Sequence, residues 1–376
     1  MRFKNHKVLK NLEVDLTNEN GEPLDIIVFI GDNGVGKTQL LKSIVDAIDM
    51  HTSEFGFQMS FVRNELYFSD SSTVLIMDEI EEEETDQEEV RFMKLDEGEM
   101  VVWMPAELNI EKTTHFVPEG RIFVEWANQW ALADVSDYII KAINEALYEN
   151  QDKISSEMIA DKCNEFNHIF EILNLDVKLR GVVKELPIFE NSAGETFDIH
   201  ELSSGEKQLF FRLLSLKRLN VNNAIIIIDE PETSLHPEWQ RKVIEVYKKI
   251  GENNQLILAT HSPFVIGSVP SESIRIMKRN KVGRIEVLHQ NENDKSYGKS
   301  VEDILKITMD LDSLRDEATT EKLSRLGELL QCDGYDTEEY KSLMYEMKKQ
   351  LGTADKDIMR LEMAQSIRMR QYAKSE

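Results

Sequence analysis

The chain has 376 residues, 41% of them hydrophobic and 30% charged, as expected for a globular protein that buries a substantial core. Its formal net charge of -26 argues against non-specific nucleic-acid binding by the whole surface, because phosphates are bound by positive charge, although a local basic patch would still allow it. Cys163 and Cys332 form no disulfide framework or zinc motif, and the apolar runs are too short to cross a bilayer, so we expect a cytoplasmic protein without a membrane partner.

The first predicted element is a strand that leads through a glycine-rich loop into a helix. Residues 25–30 are an unbroken run typical of a strand buried on both faces, and apolar residues recur at helical spacing after Thr38. Between them, Gly31-Asp-Asn-Gly-Val-Gly-Lys-Thr38 matches the phosphate-loop pattern. We expect Lys37 to reach the β- and γ-phosphates and Thr38 to bind Mg²⁺. The backbone that would wrap the phosphates belongs to Asn33, Gly34, Val35 and Gly36.

The middle of the chain predicts strands and then helices. From residues 51 to 103, short alternating runs, Glu99–Trp103 among them, predict antiparallel strands, and the acidic segment 79–89 is expected to be a solvated loop. From about Pro118 to Leu175, apolar residues at helical spacing predict a helical lid inserted between two halves of a nucleotide site. A β-like stretch follows over residues 177–199.

Two carboxylates and a histidine follow apolar runs that predict buried strands. Asp229 and Glu230 come directly after residues 224–228, at the kind of strand end where α/β sheets place ligand chemistry. We expect Asp229 to hold Mg²⁺ through water and Glu230 to orient or deprotonate an attacking water. His261 follows the apolar run 255–259, and it lies beside Glu230 if the two strands are neighbours in a parallel sheet.

A second anion-binding candidate precedes the helix that starts near residue 204. Hydroxyl and N–H groups at a helix N-terminus face an anion from the positive end of the helix dipole. The candidate residues are Ser203, Ser204, Gly205 and Glu206. The alternative is that Ser203 is an ordinary helix N-cap.

The end of the chain predicts a short strand region over 273–288 and then helices from Ser300 onward. One predicted helix carries a single apolar stripe, formed by Tyr340, Leu343, Met344, Met347 and Leu351. We therefore divide the chain into a head, residues 1–297, and a helical docking or dimerisation module, residues 298–376.

Taken in order, the motifs resemble those of ABC-type ATPases. Residues 202–208 resemble the family's signature motif, residues 229–237 its Walker B motif with the D-loop, and residues 260–263 its switch histidine. The Leu-His-Pro and His-Ser-Pro forms are similar to the SMC/RecF/OLD branch, most of all to the ATPases of prokaryotic anti-phage systems of the Septu and retron-associated kind. The resemblance implies an α/β fold: an ABC-type P-loop ATPase head with a mostly parallel core sheet, an antiparallel β subdomain, a helical insertion and a helical tail.

The resemblance also implies how such a head works. ATP and Mg²⁺ bind at the phosphate loop, the signature of one chain covers the γ-phosphate held by another, and His261 contacts that phosphate and the water. His236 is expected to make a D-loop contact across the dimer. A homodimer or higher homo-oligomer would then act as a nucleotide-dependent switch for a separately encoded effector, expected to be a nuclease. A RecF-like DNA-repair ATPase is the alternative function.

Two departures limit the resemblance. The family's glutamine loop has no clear counterpart, with Gln58, Gln87 and Gln129 as candidates. No long heptad arm separates the two half-sites, which excludes a chromosome-tethering SMC protein.

Overall fold

The fold divides into two compact units, residues 1–304 and 305–376. The three candidate glutamines and the acidic segment 79–89 lie outside the described residues. A computed structural model describes residues 3, 6, 8–52, 64–67, 74–77, 100–104, 106, 123–125, 132–149, 154–168, 170–290, 295–309 and 313–375.

A twisted core sheet and two smaller antiparallel sheets make up the β-structure of the described residues. The strands are β1 (Ile26–Gly31), β2 (Asn64–Tyr67), β3 (Val74–Met77), β4 (Met100–Met104), β5 (Phe123–Glu125), β6 (Lys178–Val183), β7 (Leu186–Glu190), β8 (Thr196–Asp198), β9 (Ala224–Asp229), β10 (Gln255–Ala259), β11 (Ile274–Arg279) and β12 (Ile285–His289). The core sheet has the order β12-β11-β1-β10-β9-β4-β5, and its strands are parallel except for β12 at one edge. This arrangement confirms the predicted mostly parallel α/β sheet.

Burial on both faces explains the unbroken apolar runs of the central strands. Ile27, Val28 and Phe29 of β1 have no exposed surface, and neither do Ile226, Ile227 and Ile228 of β9. Parallel strands in the middle of an α/β sheet are covered by helices or loops on each side, so alternation with polar residues is absent.

The prediction that Glu99–Trp103 belongs to an antiparallel strand is wrong. The strand here is β4, which pairs in parallel with β9 on one side and β5 on the other. Val102, Trp103 and Met104 are all buried, so the strand is covered on both faces. Its short run was too brief to distinguish a core strand from an alternating surface strand.

The strands outside the core sheet are antiparallel and form two separate small sheets. β2 pairs with β3, and β6, β7 and β8 form a meander. The meander confirms the β-like stretch predicted over residues 177–199. It carries buried Leu179 and Phe189 on one side, so one of its faces packs while the other meets solvent.

The helices of the first unit connect these strands. They are α1 (Lys37–Thr52), α2 (Leu132–Glu149), α3 (Ser155–His168), α4 (Ser204–Leu219), α5 (Pro237–Gln240), α6 (Val243–Lys248), α7 (Pro263–Ile266) and α8 (Val301–Asp303), with 3-10 turns at Glu171–Leu173 and Ser271–Ser273 and a π turn at Ile304–Thr308. The buried apolar side chains of α1, Leu40, Leu41 and Ile44, join a core that includes Trp103 and Ile227 of the sheet.

Helices are observed within the region predicted to be helical, from about Pro118 to Leu175. Helices α2 and α3 pack against each other, and α2 also packs against α4 and β7. However, the same region contains β5, an edge strand of the core sheet, so the prediction that it is helical throughout is wrong. Three residues are too few to give a recognisable period in the sequence. The role of the region as a lid between two halves of a nucleotide site remains a prediction.

The second unit is built from helices. They are α9 (Glu317–Gln331), α10 (Glu338–Leu351) and α11 (Lys356–Ser375), with a 3-10 turn at Gly334–Asp336. Tyr340, Met344 and Met347 of the predicted stripe are buried against α9 and α11, which confirms the stripe as core. Met359, Met363 and Ile367, spaced four residues apart on α11, are instead exposed. Among the described residues, no helix is both long and apolar enough to span a membrane.

A close backbone approach at the end of β1 makes Gly31 a test of the core sheet. A Cβ at Gly31 would lie 2.2 Å from the carbonyl oxygen of Met277 in β11, and Gly31 has a φ of +149°. Gly21 also has a positive φ, +79°, but its Cβ would meet nothing within 4 Å. Gly21→Ala should lower the free energy of unfolding by about 1 to 2 kcal/mol, the cost of the backbone conformation alone.

Gly31→Ala should lower the free energy of unfolding clearly more than Gly21→Ala does, because the new methyl group also pushes β11 away from β1. Urea unfolding followed by circular dichroism measures both variants. Equal losses of stability would contradict the close approach of the two strands.

Candidate active site

The central strands of the core sheet bring three sequence motifs to one edge. In the parallel register, Phe29 of β1 is paired with Ala259 of β10, and Ala259 is paired with Asp229 of β9. The carboxyl ends of β10 and β9 are therefore level with each other, and β1 continues past the same point of the sheet to Gly31. The phosphate loop, the loop of His261 and the Asp229-Glu230 pair follow these ends directly, and β10 lies in the middle.

The loop after β1 has the shape that a phosphate requires. Gly31, Gly34 and Gly36 have φ values of +149°, +75° and +112°, which open the backbone into a concave turn ahead of α1. Lys37 is only 5% exposed, and its ammonium group donates to the carbonyl oxygens of Gly31, at 2.8 Å, and Asp32, at 3.2 Å. The loop thus holds a buried positive charge at the N-terminus of a helix, and both favour an anion.

Two oxygen ligands meet beside this loop. The Thr38 hydroxyl donates to Oδ2 of Asp229 at 2.8 Å, and Asp229 is 3% exposed. Its other oxygen, Oδ1, is buried without a hydrogen-bond partner among the described residues. A buried carboxylate oxygen left in this way is costly unless a cation or a donor meets it. Because Mg²⁺ prefers carboxylate, hydroxyl and phosphate oxygens, these two side chains fit the ion that accompanies a nucleotide.

The histidine loop lies between the phosphate loop and the carboxylates. Nε2 of His261 is 2.6 Å from the ammonium nitrogen of Lys37 and 3.5 Å from Oε1 of Glu230. The ammonium group can only donate, so Nε2 accepts and the neutral ring carries its proton on Nδ1. We call Lys37, Thr38, Asp229, Glu230 and His261 the strand-end cluster. The side chains of Glu230 and His261 keep 24% and 32% of their surface exposed, so water reaches them.

Burial shifts the pKa values of the ionisable residues of the cluster in the direction that favours their uncharged forms. It lowers the pKa of Lys37, against the pull of the Glu230 and Asp229 carboxylates, and it lowers the pKa of His261, helped by Lys37. Burial also raises the pKa of Asp229. Burial, with the Glu232 carboxylate next in importance, raises the pKa of Glu230 to about 8. A divalent cation beside Asp229 would lower the Glu230 pKa again and leave a carboxylate able to accept a proton from water.

The signature residues form a helix start that faces solvent. Ser203 and Ser204 are exposed. Ser203 is the N-cap of α4 in a capping box, in which its hydroxyl accepts from the Glu206 amide at 3.3 Å and the Ser203 amide donates to Oε2 of Glu206 at 2.8 Å. The N-cap interpretation of Ser203 is thus observed in the single chain, where its hydrogen bonds go to its own turn rather than to the strand-end cluster.

Gly205 allows a close packing contact at the start of α4 that a side chain would block. A Cβ there would lie 2.6 Å from the carbonyl oxygen of Ser234, in the segment that follows Glu230. The start of α4 therefore packs directly on that segment. His236, in the same segment, caps α5 by accepting from the Glu238 amide at 3.4 Å. A contact of His236 with a second copy remains a prediction.

Two buried charged residues of the site were not predicted from the sequence. Arg212 of α4, 3% exposed, donates to the carbonyl oxygen of Glu230 at 3.3 Å, at a residue whose φ is +47°. Glu232, 8% exposed, accepts hydrogen bonds from the loop of His261. A charged residue within the apolar face of a predicted helix was a usable signal for Arg212. Glu232 gave none, because its partners lie about thirty positions further along the chain.

Comparison with known proteins identifies the kind of domain. Residues 83–267, just under half of the chain, match the family described as "AAA domain, putative AbiEii toxin, Type IV TA system". The "Retron Vc95 probable ATPase" of Vibrio cholerae is 33% identical over 134 residues, which cover 36% of this chain and 26% of that protein. The Septu protein PtuA of Bacillus thuringiensis is 25% identical over 85% of this chain and 90% of its own length.

The chain is also similar to an OLD nuclease and to an SMC head domain. The OLD nuclease of Thermus scotoductus is 28% identical over 30% of this chain and 22% of that protein. The SMC head domain of Thermotoga maritima superposes with a TM-score of 0.40 at 13% identity, covering 77% of this chain and 97% of that domain. The chain spans about a quarter of the length of the retron ATPase. The matched AAA family and the retron ATPase agree with the strand-end cluster on an ATPase domain.

Replacing the buried lysine tests the nucleotide site directly. Lys37→Ala should weaken binding of a fluorescent ATP analogue by at least about tenfold, since a hydrogen bond to a charged group contributes roughly 1.5 to 3 kcal/mol. Lys42→Ala, which removes an exposed lysine of the same helix, is the matched control and should bind normally. Unchanged affinity of the Lys37 variant in an equilibrium titration would mean that nucleotide binds elsewhere.

Proposed function

We propose that this ABC/SMC-like ATPase binds ATP and Mg²⁺ between two copies of the chain and uses hydrolysis to switch a partner effector in prokaryotic anti-phage defence. The observation that carries the proposal is the strand-end cluster beside an exposed helix start. One chain supplies the phosphate loop, the carboxylates and the histidine, while Ser203 and Ser204 of α4 face solvent. A site completed by a second copy needs this combination.

Each residue of the cluster has a separate role in the proposed reaction. Lys37 neutralises phosphate oxygens, and Thr38 and Asp229 hold Mg²⁺, which supplies charge stabilisation at the phosphates when bound. Glu230 takes the proton of the attacking water, and His261 fixes the position of that water and of the terminal phosphate. The loop amides of Asn33, Gly34, Val35 and Gly36 supply further donors to the phosphates.

The signature residues act in the second copy's site in this proposal. The N-terminus of α4 carries a partial positive charge, and the hydroxyls of Ser203 and Ser204 and the amides of Gly205 and Glu206 lie at that end. Such a group covers an anion presented by a second molecule. Because the anion belongs to bound ATP, closure of the dimer depends on the nucleotide.

The proposal that the ATPase acts on a partner effector is supported by the second unit and by the named relatives. Met359, Met363 and Ile367 form an exposed apolar row on α11, which suits a protein contact better than a solvated surface. A retron ATPase and Septu PtuA are among the similar proteins, and both are of the Septu and retron-associated kind that the sequence motifs resemble. We propose a separately encoded nuclease as the effector. No described feature favours the RecF-like alternative over this function.

Mixing two inactive variants tests the shared site. Ser203→Arg blocks the signature but keeps the phosphate loop, and Lys37→Ala does the reverse. Each chain alone should hydrolyse little ATP, whereas a mixed dimer has one site with an intact loop from one copy and an intact signature from the other. Phosphate release from the mixture should therefore recover in part. Heterodimers that form, as shown by affinity tags on each chain, but stay inactive would refute a site shared between copies.

Glu230→Gln tests whether nucleotide controls assembly. The amide keeps the shape of the carboxylate but cannot accept a proton, so turnover should fall by roughly 100-fold or more, the usual scale for acid-base catalysis. ATP and Mg²⁺ should still bind, and the closed dimer should accumulate. Light scattering after size exclusion, with and without ATP, reports the assembly. A variant that stays monomeric when loaded with ATP would exclude the nucleotide-dependent dimer.

A further inference from the structure

The segment that follows the catalytic carboxylate contains a second, deeply buried carboxylate. Glu232 is 8% exposed, and its Oε1 accepts three hydrogen bonds from consecutive residues. The donors are the Thr260 hydroxyl, the His261 amide at 3.0 Å and the Ser262 amide at 2.9 Å. Burying a carboxylate in this way is favourable only when charge-assisted hydrogen bonds replace its water. One oxygen atom thus contacts each of residues 260–262, which we call the switch loop; the His261 amide has Glu232 as its acceptor, whereas the Ser262 amide also donates to the Thr260 hydroxyl oxygen at 2.9 Å.

The switch loop is also held from a second point on the same segment. The Ser262 hydroxyl donates to Oε1 of Gln240 at 2.6 Å, and the Gln240 amide donates to the carbonyl oxygen of Leu235 at 2.9 Å. The backbone amide of Thr260, in contrast, donates to the carbonyl oxygen of Phe29 in β1. The start of the switch loop is therefore part of the sheet, and its His261–Ser262 part depends on residues 232–240.

We propose that Glu232 is a positioning residue, which holds His261 at the place where its ring meets Lys37. The inference rests on the proposed function for its consequence in the reaction. Beyond the sheet, the His261 backbone is fixed by the bond from its own amide to Glu232, while its ring reaches 2.6 Å from the Lys37 ammonium group. Glu232 itself has no hydrogen bond to Lys37 or Thr38, whose partners are the loop carbonyls, His261 and Asp229. Loss of Glu232 should therefore displace the histidine without dismantling the phosphate loop.

The alternative is that Glu232 only stabilises the fold. A purely structural carboxylate would lower stability and change both nucleotide affinity and turnover, or neither. A residue that acts through His261 lowers kcat, leaves the KM for ATP unchanged, and has no further effect once His261 is gone. A double-mutant cycle separates these two cases, because coupled residues give non-additive effects.

The first experiment tests the contact between Glu232 and the switch loop without measuring ATP hydrolysis. Residue-resolved amide hydrogen exchange is recorded on the full chain without nucleotide. Glu232→Ala should speed exchange of the His261 amide, while the Thr260 amide, which donates to β1, stays protected as an internal control. Glu232→Gln keeps an acceptor oxygen at the same place and should restore protection. If the His261 amide stays protected in Glu232→Ala, the proposal is overturned.

The second experiment reads the consequence for the reaction. Glu232→Ala should lower kcat by about 10- to 100-fold, the scale of a misplaced catalytic group, with KM for ATP unchanged. The double variant Glu232→Ala with His261→Ala should be no slower than His261→Ala alone. Losses that multiply in the double variant would show that Glu232 does not act through His261, and would overturn the proposal.

The two readouts keep this proposal separate from the proposed function. If the wild-type chain hydrolyses no ATP, the proposed function fails, whereas the exchange experiment still decides whether Glu232 holds the switch loop. If Glu232→Ala does not fold, Glu232→Asp replaces it. The shorter carboxylate keeps the charge but cannot reach all three donors, so it should speed exchange of the His261 amide and lower kcat in the same direction.

Discussion

The parallel hydrogen-bonded ladder that joins β1, β10 and β9 is the constraint on which the site depends. It brings the carboxyl ends of three strands to the same edge of the sheet, so that three loops that are distant in sequence start close together. Because β10 lies between the other two, its loop delivers His261 to the gap between the phosphate loop and Glu230. A shift of one residue in either pairing would move a loop by about 3.3 Å, more than the length of the hydrogen bonds that connect the cluster.

The same edge concentrates charge that the protein interior disfavours. Lys37, Asp229 and Glu232 are each less than a tenth exposed, and the fold stabilises them in different ways. Glu232 is matched by three donors, and Lys37 by two carbonyls and a histidine. Asp229 keeps one oxygen without a partner among the described residues. Glu232 likewise keeps its Oε2 without a partner among these residues, but Asp229 is the one that accepts from Thr38 beside the phosphate loop, and it is therefore the better placed for a metal ion.

Much of this site could be predicted from the sequence, because its motifs are local. The glycine spacing before Lys37, the carboxylates after β9 and the histidine after β10 each need only a strand and the residues that follow it. The course of β4 could not be predicted, since five residues show no reliable period, and one of its two parallel partners, β9, lies more than a hundred positions further along the chain. Glu232 gave no signal in the sequence either, because its importance comes from contacts across the tertiary structure. Arg212 could have been found as a charged residue within the apolar face of a predicted helix, and the N-cap of Ser203, which is local, was one of the two interpretations of the sequence.

The unmatched charges at the sheet edge have a consequence for how long the protein persists in a cell. A ligand that meets these charges in the folded state, and finds no site in the unfolded chain, raises the free energy of unfolding with its concentration. Magnesium nucleotide would then protect the head from local opening and from the proteases that act on opened chains. The amount of protein present would rise and fall with the energy supply of its host. Depletion of ATP would therefore lower the amount of the protein through degradation as well as stop ATP hydrolysis.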